Sequence, residues 1–381
     1  MKITGVVAHP VSAALPYAFW TAAEPLTRHE FVVVEVRTDE GIVGCGQAYG
    51  SPLSLVASFV ERFGAAIVGV DPCATEEAWE RMMALTSPRS GAVDDRDGWG
   101  PPLPRSQRAP AIAAIGGIDT ALWDLKGKAA GMPLWRLLGG SGEPILAYAA
   151  GGHYHEGVPM DAAVEELAGY TAAGWGAVKL KSGAEPLAVE EARIAQLREA
   201  IGDALLMVDI NAAWSVEQAL EGARALAPHG IVYFEEPLHW FCEARDYGRF
   251  SAASPVPAAQ GDRDLHRFAV RDLIEVGRVG YVRLDVTVAG GFTEAVRIAQ
   301  LAGAHGTRLA PHNVAEIHGH LLAGFRQSAF AVEVLVNPER DPVTRHLYRE
   351  GPRIEGGWLH LSSAPGLGLD YDWDFVRRMA P

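Results

Sequence analysis

Lys181, Asp209, Glu235, Asp262, Asp285 and His312 follow one another at intervals of 23 to 28 residues. A strand, a loop and a helix occupy roughly that length, so each of the six can stand at the end of a successive strand. The active site of a (β/α)8 barrel is built from such strand ends. In order they are an amine, three carboxylates, and an Asp followed by a His. Asp209, Glu235 and Asp262 are candidate ligands for a hard cation that prefers oxygen. Mg2+, one ion per site, fits best, because it tolerates few protein ligands and keeps positions open for water or substrate oxygens. Zn2+ would be expected to recruit His or Cys. In Phe234-Glu235-Glu236-Pro237 alternation sends the two Glu side chains in opposite directions, and the residues alone leave open which one faces inward.

Lys179 and Lys181, two apart on one strand, share its inward face. Mutual repulsion and a nearby Mg2+ would lower an ammonium pKa toward neutrality. A neutral lysine there can take a proton, and a charged one can bind carboxylate. Asp285, accepting the hydrogen bond of His312, would fix the imidazole tautomer and raise its basicity. His318 and His320 fall in the following helix and read as packing or surface residues. Asn211, two past Asp209, shares its face, and Glu333 on the eighth strand is a candidate inward-facing hydrogen-bonding group. A metal that binds a carboxylate, with bases on opposite sides, supports removal of the proton α to that carboxylate, Mg2+ holding the enediolate. If His312 returns a proton to carbon, the outcome is racemisation or epimerisation. If it protonates a β-hydroxyl, the outcome is dehydration.

The elements that must carry these residues are readable as alternating strands and helices from about residue 144. Candidate strands are 145–150, 176–181, 205–210, 231–236, 256–262, 280–285, 307–312 and 330–336, separated by amphipathic stretches of helix length such as MDAAVEELAGYTAAG. Eight such strands imply a parallel barrel, with an open doubly wound sheet as the competing α/β arrangement. No GxGxxG follows an early strand, which counts against the open sheet. Before residue 144, FVVVEV at 31–36, a turn at 38–41 and IVGCGQA at 42–48 read as a β-hairpin, and residues 53–84 read as helical. Ser87 to Pro110, rich in Pro, Gly, Asp and Arg, reads as a long loop. Ile112, Ile115, Ile118, Leu122 and Leu125 then keep helical spacing. The tail from about 341 reads as irregular, folding back over the first region.

The 381 residues carry a formal net charge of -14, with 49% apolar and 21% charged residues. That composition supports a large core. The acidic balance argues against nucleic acid or an anionic membrane as partner, so an anionic small-molecule carboxylate would need local positive charge to be held. Cys45, Cys73 and Cys242 are far apart and form no Cys-x-x-Cys pair, which suits buried thiols in a reducing compartment. The apolar run at the start stops at His9-Pro10, too short for a signal segment, and no stretch approaches the roughly 20 apolar residues needed to span a bilayer. A soluble cytoplasmic protein is expected.

VKLK (178–181), VDINAAW (208–214), FEEPL (234–238), Gly261-Asp262, Leu284-Asp285 and Pro311-His312, with AIGGIDTALWDLKGKAAGMPLWRLLGG (114–140) ahead of them, fall in the order found in the enolase superfamily. The chain resembles its mandelate racemase/muconate lactonizing enzyme branch over nearly its whole length. The resemblance implies an N-terminal α+β capping domain at 1–140, a modified TIM barrel at 141–340, and a C-terminal segment at 341–381 completing the cap. It favours Glu235 over Glu236 as ligand and implies Lys181 as base, Lys179 beside it, and a His312–Asp285 dyad opposite. That pairing is similar to the mandelate racemase-like subgroup, whose substrates are mostly hydroxy acids and acid sugars and whose members are mostly dehydratases. A racemase, an epimerase or a sugar lactone cycloisomerase would use the same site. Homo-oligomeric assembly is a family expectation. The chain departs from the subgroup at Asp262, where Glu is usual, and at Ser182, where a bulkier apolar residue is common. YAAGGHYHEG (148–157) is similar to the first barrel strand of tartrate dehydratases, which would bring His153, Tyr154 and His155 near the substrate. Tyr17, Phe19 and Trp20, in an early loop, are candidates for a lid, with Trp20 over the substrate.

Overall fold

The computed structural model describes residues 1–86 and 103–381. Strands β1 (Ile3–Trp20), β2 (Pro25–Thr38) and β3 (Val43–Ala48) form an antiparallel sheet in that order. The hairpin expected over 31–48 is β2–β3. β1 is an addition: Tyr17, Phe19 and Trp20 stand on this strand rather than in a loop, and the turn is residues 21–24. As an edge strand β1 tolerates Pro10 and Pro16, and its register with β2 shifts between Ala14 and Phe19, the stretch that contains Pro16.

The stretch 53–84 forms two helices, α1 (Leu53–Ile67) and α2 (Thr75–Ala84), separated around Asp71-Pro72. Most of the expected loop from Ser87 to Pro110 lies outside the described residues. Its end is already helical, because α3 (Arg108–Ala129) takes in Pro110 in its first turn, where proline sacrifices no helical hydrogen bond. The run Phe31–Val36 is apolar on both faces because both are covered. Val32, Val34 and Val36 pack against α1 and α3, while Phe31 and Val33 pack against Val343, Leu347, Tyr371 and Val376 of the C-terminal segment. β3 meets α3 backbone to backbone: a Cβ at Gly46 would fall 2.2 Å from the carbonyl oxygen of Gly117.

After the short helix α4 (Leu134–Leu137) come eight parallel strands: β4 (Ile145–Gly151), β5 (Ala177–Lys181), β6 (Leu205–Asp209), β7 (Ile231–Glu235), β8 (Ala258–Gln260), β9 (Tyr281–Val282), β10 (Arg308–Leu309) and β11 (Val332–Leu335). Each neighbours the next from β4 to β10, and β11 pairs with β4. A bridge between Leu309 and Ala329 closes the ring. Seven helices fill the connections: α5 (Ala162–Ala172), α6 (Leu187–Ile201), α7 (Val216–Leu226), α8 (Ala244–Ala253), α9 (Arg267–Glu275), α10 (Phe292–His305) and α11 (Ala315–Gly324). α7 starts with a reciprocal capping box between Ser215 and Gln218. The eighth strand is followed not by a full barrel helix but by the C-terminal segment. Among the described residues no helix is long and apolar enough to cross a membrane.

Ties between cap and barrel include two on α3. Asp119 on α3 accepts hydrogen bonds from Thr293 N (2.8 Å) and Thr293 Oγ1 (2.7 Å) at the start of α10. A Cβ at Gly116 would sit 3.0 Å from the carbonyl oxygen of Val286, so α3 rests directly on the loop after Asp285. The C-terminal segment is more regular than its sequence suggests. Residues 358–360 pair antiparallel with the start of β4 and with residues 353–355, across a turn in which Gly356 and Gly357 have φ of 55° and 77°. Two positive φ values in a two-residue hairpin turn require such glycines.

Candidate active site

The barrel interior is layered. Tyr148, Ala177, Met207, Tyr233, Ala259, Ala310 and Ala331 form one apolar cluster, with Tyr281 packed against it. Two residues further along the same strands, alternation returns the chain to the inside. There stand Lys179, Asp209, Glu235, Arg283, His312 and Glu333. Behind several of them the backbone leaves the strand through the left-handed region, at Asn211 (φ 48°), Glu236 (φ 41°) and Asn313 (φ 50°). Such backbone is costly for residues other than glycine and clusters at functional sites.

Lys181 Nζ lies 2.5 Å from Asp209 Oδ2, and Asp209 Oδ1 accepts from Asn211 N at 2.9 Å. Lys179 is fully buried, 2.9 Å from Glu235 Oε2, 2.6 Å from Glu333 Oε1 and 3.5 Å from Asp209 Oδ2. Burial opposes its charge, but Glu235 and Glu333 override that and hold the ammonium above its ordinary pKa. Lys179 sits among three carboxylates, which oppose the lowering that a neighbouring ammonium and Mg2+ would bring. Burial likewise opposes the charge of Asp209, and Lys181 and Lys179 nonetheless hold it below the usual carboxylate range. Glu235 is pushed up to about 7 by burial, against the pull of Arg283.

His312 Nδ1 is 3.0 Å from Asp285 Oδ2, and Asp285 Oδ1 accepts from Thr287 N and Thr287 Oγ1 at 2.8 and 2.6 Å. Burial works against both charges. The shared hydrogen bond wins in each case, raising the imidazole and depressing the carboxyl. Asn313 Nδ2 lies 2.9 Å from His312 Nε2, so the amide donates to the nitrogen that would meet substrate. His318 and His320 are buried packing residues. His318 Nδ1 donates to Asn313 O and its Nε2 accepts from Val286 N, which fixes the ring behind Asp285. His320 Nδ1 accepts from Trp135 N.

Arg283 is the large omission of the sequence reading. It is fully buried. Its Nη1 donates to Tyr148 Oη and to the carbonyls of Ala310 (2.7 Å) and Pro311 (2.9 Å), and its Nη2 to Glu235 Oε1 (2.8 Å) and Glu333 Oε2. The signal was available: it precedes Asp285 by two and so shares an inward face.

The candidate ligands gather at the same rim. Their donor set is all carboxylate, and Asp262 Oδ1 is buried without a hydrogen-bond partner among the described residues. Both observations fit a hard cation. Asp209, Glu235 and Asp262 are not drawn into a cage: among the described residues no three His, Cys, Asp or Glu side chains come close enough to hold an ion. Lysine ammonium groups take oxygens of Asp209 and Glu235 instead. Glu236 pairs with Arg263 at 2.5 and 3.0 Å; burial and then Asp262 push it well above the usual range.

The expected substrate contacts divide. Asn211 keeps its Oδ1 buried and without a partner among the described residues. Burial, then Lys181, pull the His153 imidazole well below its ordinary pKa, and its ring meets Phe19 edge-on at 5.9 Å. Tyr154 turns away, its hydroxyl donating to Glu190 at 2.6 Å and its ring lying over Arg193. His155 stacks on Tyr17 at 4.8 Å. Trp20 is 44% exposed and pairs its backbone with Tyr154. Trp20, His153, Tyr154 and His155 line a cavity of about 680 Å³ beside the mouth. A second cavity, of about 430 Å³, runs between cap, β11 and C-terminal segment and reaches Asp285, Asn313 and Glu333.

Residues 162–375 match the family described as Enolase C-terminal domain-like, and residues 2–139 match the Mandelate racemase / muconate lactonizing enzyme, N-terminal domain. The chain belongs to the enolase superfamily, in its mandelate racemase-like subgroup. Among relatives within the superfamily, the D-galactarolactone cycloisomerase of Agrobacterium fabrum is 33% identical, the alignment covering 98% of this chain and 97% of that one. The arabinonate dehydratase of Saccharolobus solfataricus is 30% identical over 91% and 90%. The solved L-talarate/galactarate dehydratase from Salmonella typhimurium LT2, liganded with Mg and L-lyxarohydroxamate, superposes with a TM-score of 0.86 at 26% identity, over 100% of this chain and 93% of that one. A racemase from Streptomyces coelicolor A3(2) with bound magnesium gives 0.87 at 26% identity, covering 100% of both chains.

Proposed function

We propose that the protein is a Mg2+-dependent hydro-lyase that removes the proton α to the carboxylate of an acid sugar and expels a β-hydroxyl, yielding a 2-keto-3-deoxy acid. The observation that carries this is the pairing of Lys181 with a His312–Asp285 dyad on one barrel rim, three strands apart one way and five the other. Superfamily relatives that are acid sugar dehydratases support the reaction class.

Asp209, Glu235 and Asp262 are the residues that would hold Mg2+. When bound, the ion supplies Lewis-acid stabilisation of charge developing on the substrate carboxylate. Lys181, released from Asp209 and with one ammonium proton given up to solvent, takes the C2 proton on the free lone pair of Nζ. Lys179 stays charged and is suited to binding carboxylate. The C3–O bond breaks with its electron pair while imidazolium His312 delivers a proton from Nε2, so water leaves and the resulting enol ketonises. Asp285 keeps Nδ1 protonated throughout. Asn313 must yield Nε2 for that transfer. Arg283 holds Glu235 and Glu333 in place beneath, and Asn211 and His153 face the substrate.

A second reading, a sugar lactone cycloisomerase, is favoured by the A. fabrum relative and uses the same base on the α-proton, with a ring oxygen as the leaving group. A screen of mono- and diacid sugars with Mg2+ separates the two. Formation of a carbonyl product supports dehydration, and loss of a lactone without water release supports cycloisomerisation. Deuterium uptake at C2 with no carbonyl product would replace both with racemisation or epimerisation. A cytoplasmic homo-oligomer belongs to the same proposal. Three free cysteines suit a reducing compartment, and Trp240 and Phe241, 72% and 65% exposed, are where a subunit contact would be sought.

A further inference from the structure

One cation near the His312–Asp285 dyad has no counter-charge among the described residues. Arg340, five residues past β11, lines the 430 Å³ cavity with Tyr49, Asp285, Asn313 and Glu333. Its Nε is buried without a partner among the described residues, and no described carboxylate forms an ion pair with it. The two carboxylates whose charge acts on it are committed elsewhere. Asp341 Oδ1 accepts from Val343 N and Thr344 N at 3.1 and 3.0 Å, and Glu333 is held by Lys179 and Arg283. Burial accordingly draws the guanidinium below its ordinary pKa, with Tyr49, Asp341 and Glu333 opposing only in part. Arg340 is half-buried, and a buried guanidinium nitrogen left unpaired is costly. The cost is recovered when a ligand brings the opposite charge.

The segment is set rather than loose. Arg340 N and Asp341 N both donate to Asn337 O, Asn337 Nδ2 reaches Glu166, and Glu339 accepts from the Tyr17 hydroxyl. Arg340 also shares its surroundings with the reacting end of the site. Lys181 and Arg340 are, in that order after burial, the main influences that keep His153 neutral. On the facing wall Tyr49, from the cap, is 40% exposed to this space.

We propose that Arg340, with Tyr49 opposite, receives a second carboxylate at the far end of the substrate, so that the protein selects sugar diacids over sugar monoacids. The inference rests on the acid-sugar reading and names its substrate class. A guanidinium fork matches a carboxylate with two parallel hydrogen bonds, whereas a terminal hydroxymethyl would leave that charge unpaired.

The test uses matched pairs that differ only in that terminal group, galactarate against galactonate and glucarate against gluconate. Binding is measured by calorimetry on the Mg2+-loaded protein, and turnover is measured alongside. The diacid of at least one pair should bind about tenfold or more tighter than its monoacid. Arg340→Gln should remove that preference, weakening the diacid about tenfold and the monoacid less than about threefold, with Arg340→Lys in between. Equal affinity across both pairs in the wild type, or equal weakening of diacid and monoacid in Arg340→Gln, overturns the proposal. Absence of turnover with the diacid preference intact and dependent on Arg340 would strike at the chemistry proposed for the site while upholding the role of Arg340.

Discussion

Low in the barrel, Tyr148, Ala177, Met207, Tyr233, Ala259, Ala310 and Ala331 fill the interior with rings and methyl groups. One pleat higher on the same strands are Lys179, Asp209, Glu235, Arg283, His312 and Glu333. The lower layer is held by packing, with the Tyr233 ring 4.7 Å from Tyr281 and 6.0 Å from Phe330. The upper layer is held by charge against charge, and Tyr148 joins the two by accepting from Arg283. Tertiary structure costs little to extend by two residues, yet the physics changes from area buried to ions desolvated. The lower layer can be altered in small steps. In the upper layer each removal strands a partner.

That contrast can be broken most directly at Lys181. Lys181→Ala should lower kcat by about 10³-fold or more while leaving the thermal unfolding midpoint within a few degrees of wild type. Lys179, 3.5 Å from Asp209, still faces that carboxylate in the variant; an unfolded variant would mean that Lys181 is structural as well. Arg283→Met should do the opposite to the fold. It leaves Glu235 and Glu333 without their guanidinium and should cost about 3–5 kcal/mol in urea unfolding. A loss below about 1 kcal/mol would show that Lys179 alone suffices.

The dyad sharpens the comparison through pH. His312 has its folded pKa raised, so its contribution is complete below about pH 6.5, the unfolded value, and is lost as pH rises through the folded one. Asp285 is depressed, so its contribution is present above about pH 4 and is lost only as pH falls through its folded value. The stability advantage of wild type over Asp285→Asn should therefore hold from mildly acidic pH to about 6.5 and shrink above it. An advantage that is flat to pH 9, followed by denaturant midpoints, would mean that the hydrogen bond and not the charge matters. The smallest effect belongs to the lower layer. Tyr233→Phe loses one 3.3 Å contact with Tyr148 Oη and should cost about 1 kcal/mol or less without changing kcat.

What the sequence disclosed follows the same division. The strand ends were legible because catalysis needs ionisable residues at a spacing that the barrel repeats, and the apolar runs between them fixed eight strands. Arg283 was passed over because attention to the last residue of each strand skips the one two before it. Arg340 lies beyond the last strand, where no period operates. β1 was hidden by His9, Pro10 and Pro16, which blur alternation and are tolerated because the strand is an edge. Tyr154, expected near the substrate, gives its hydroxyl to Glu190 on a helix outside the barrel. No local pattern carries that information.

The strand formed by residues 358–360 lies beside the first strand of the barrel, about 200 residues away in the chain. At ribosomal speeds of roughly 5–20 residues per second, Ile145 and Leu146 wait on the order of 10 to 40 seconds for that neighbour to be made. During that interval the nascent barrel has an open flank, and cellular holding factors would have their longest opportunity to act there.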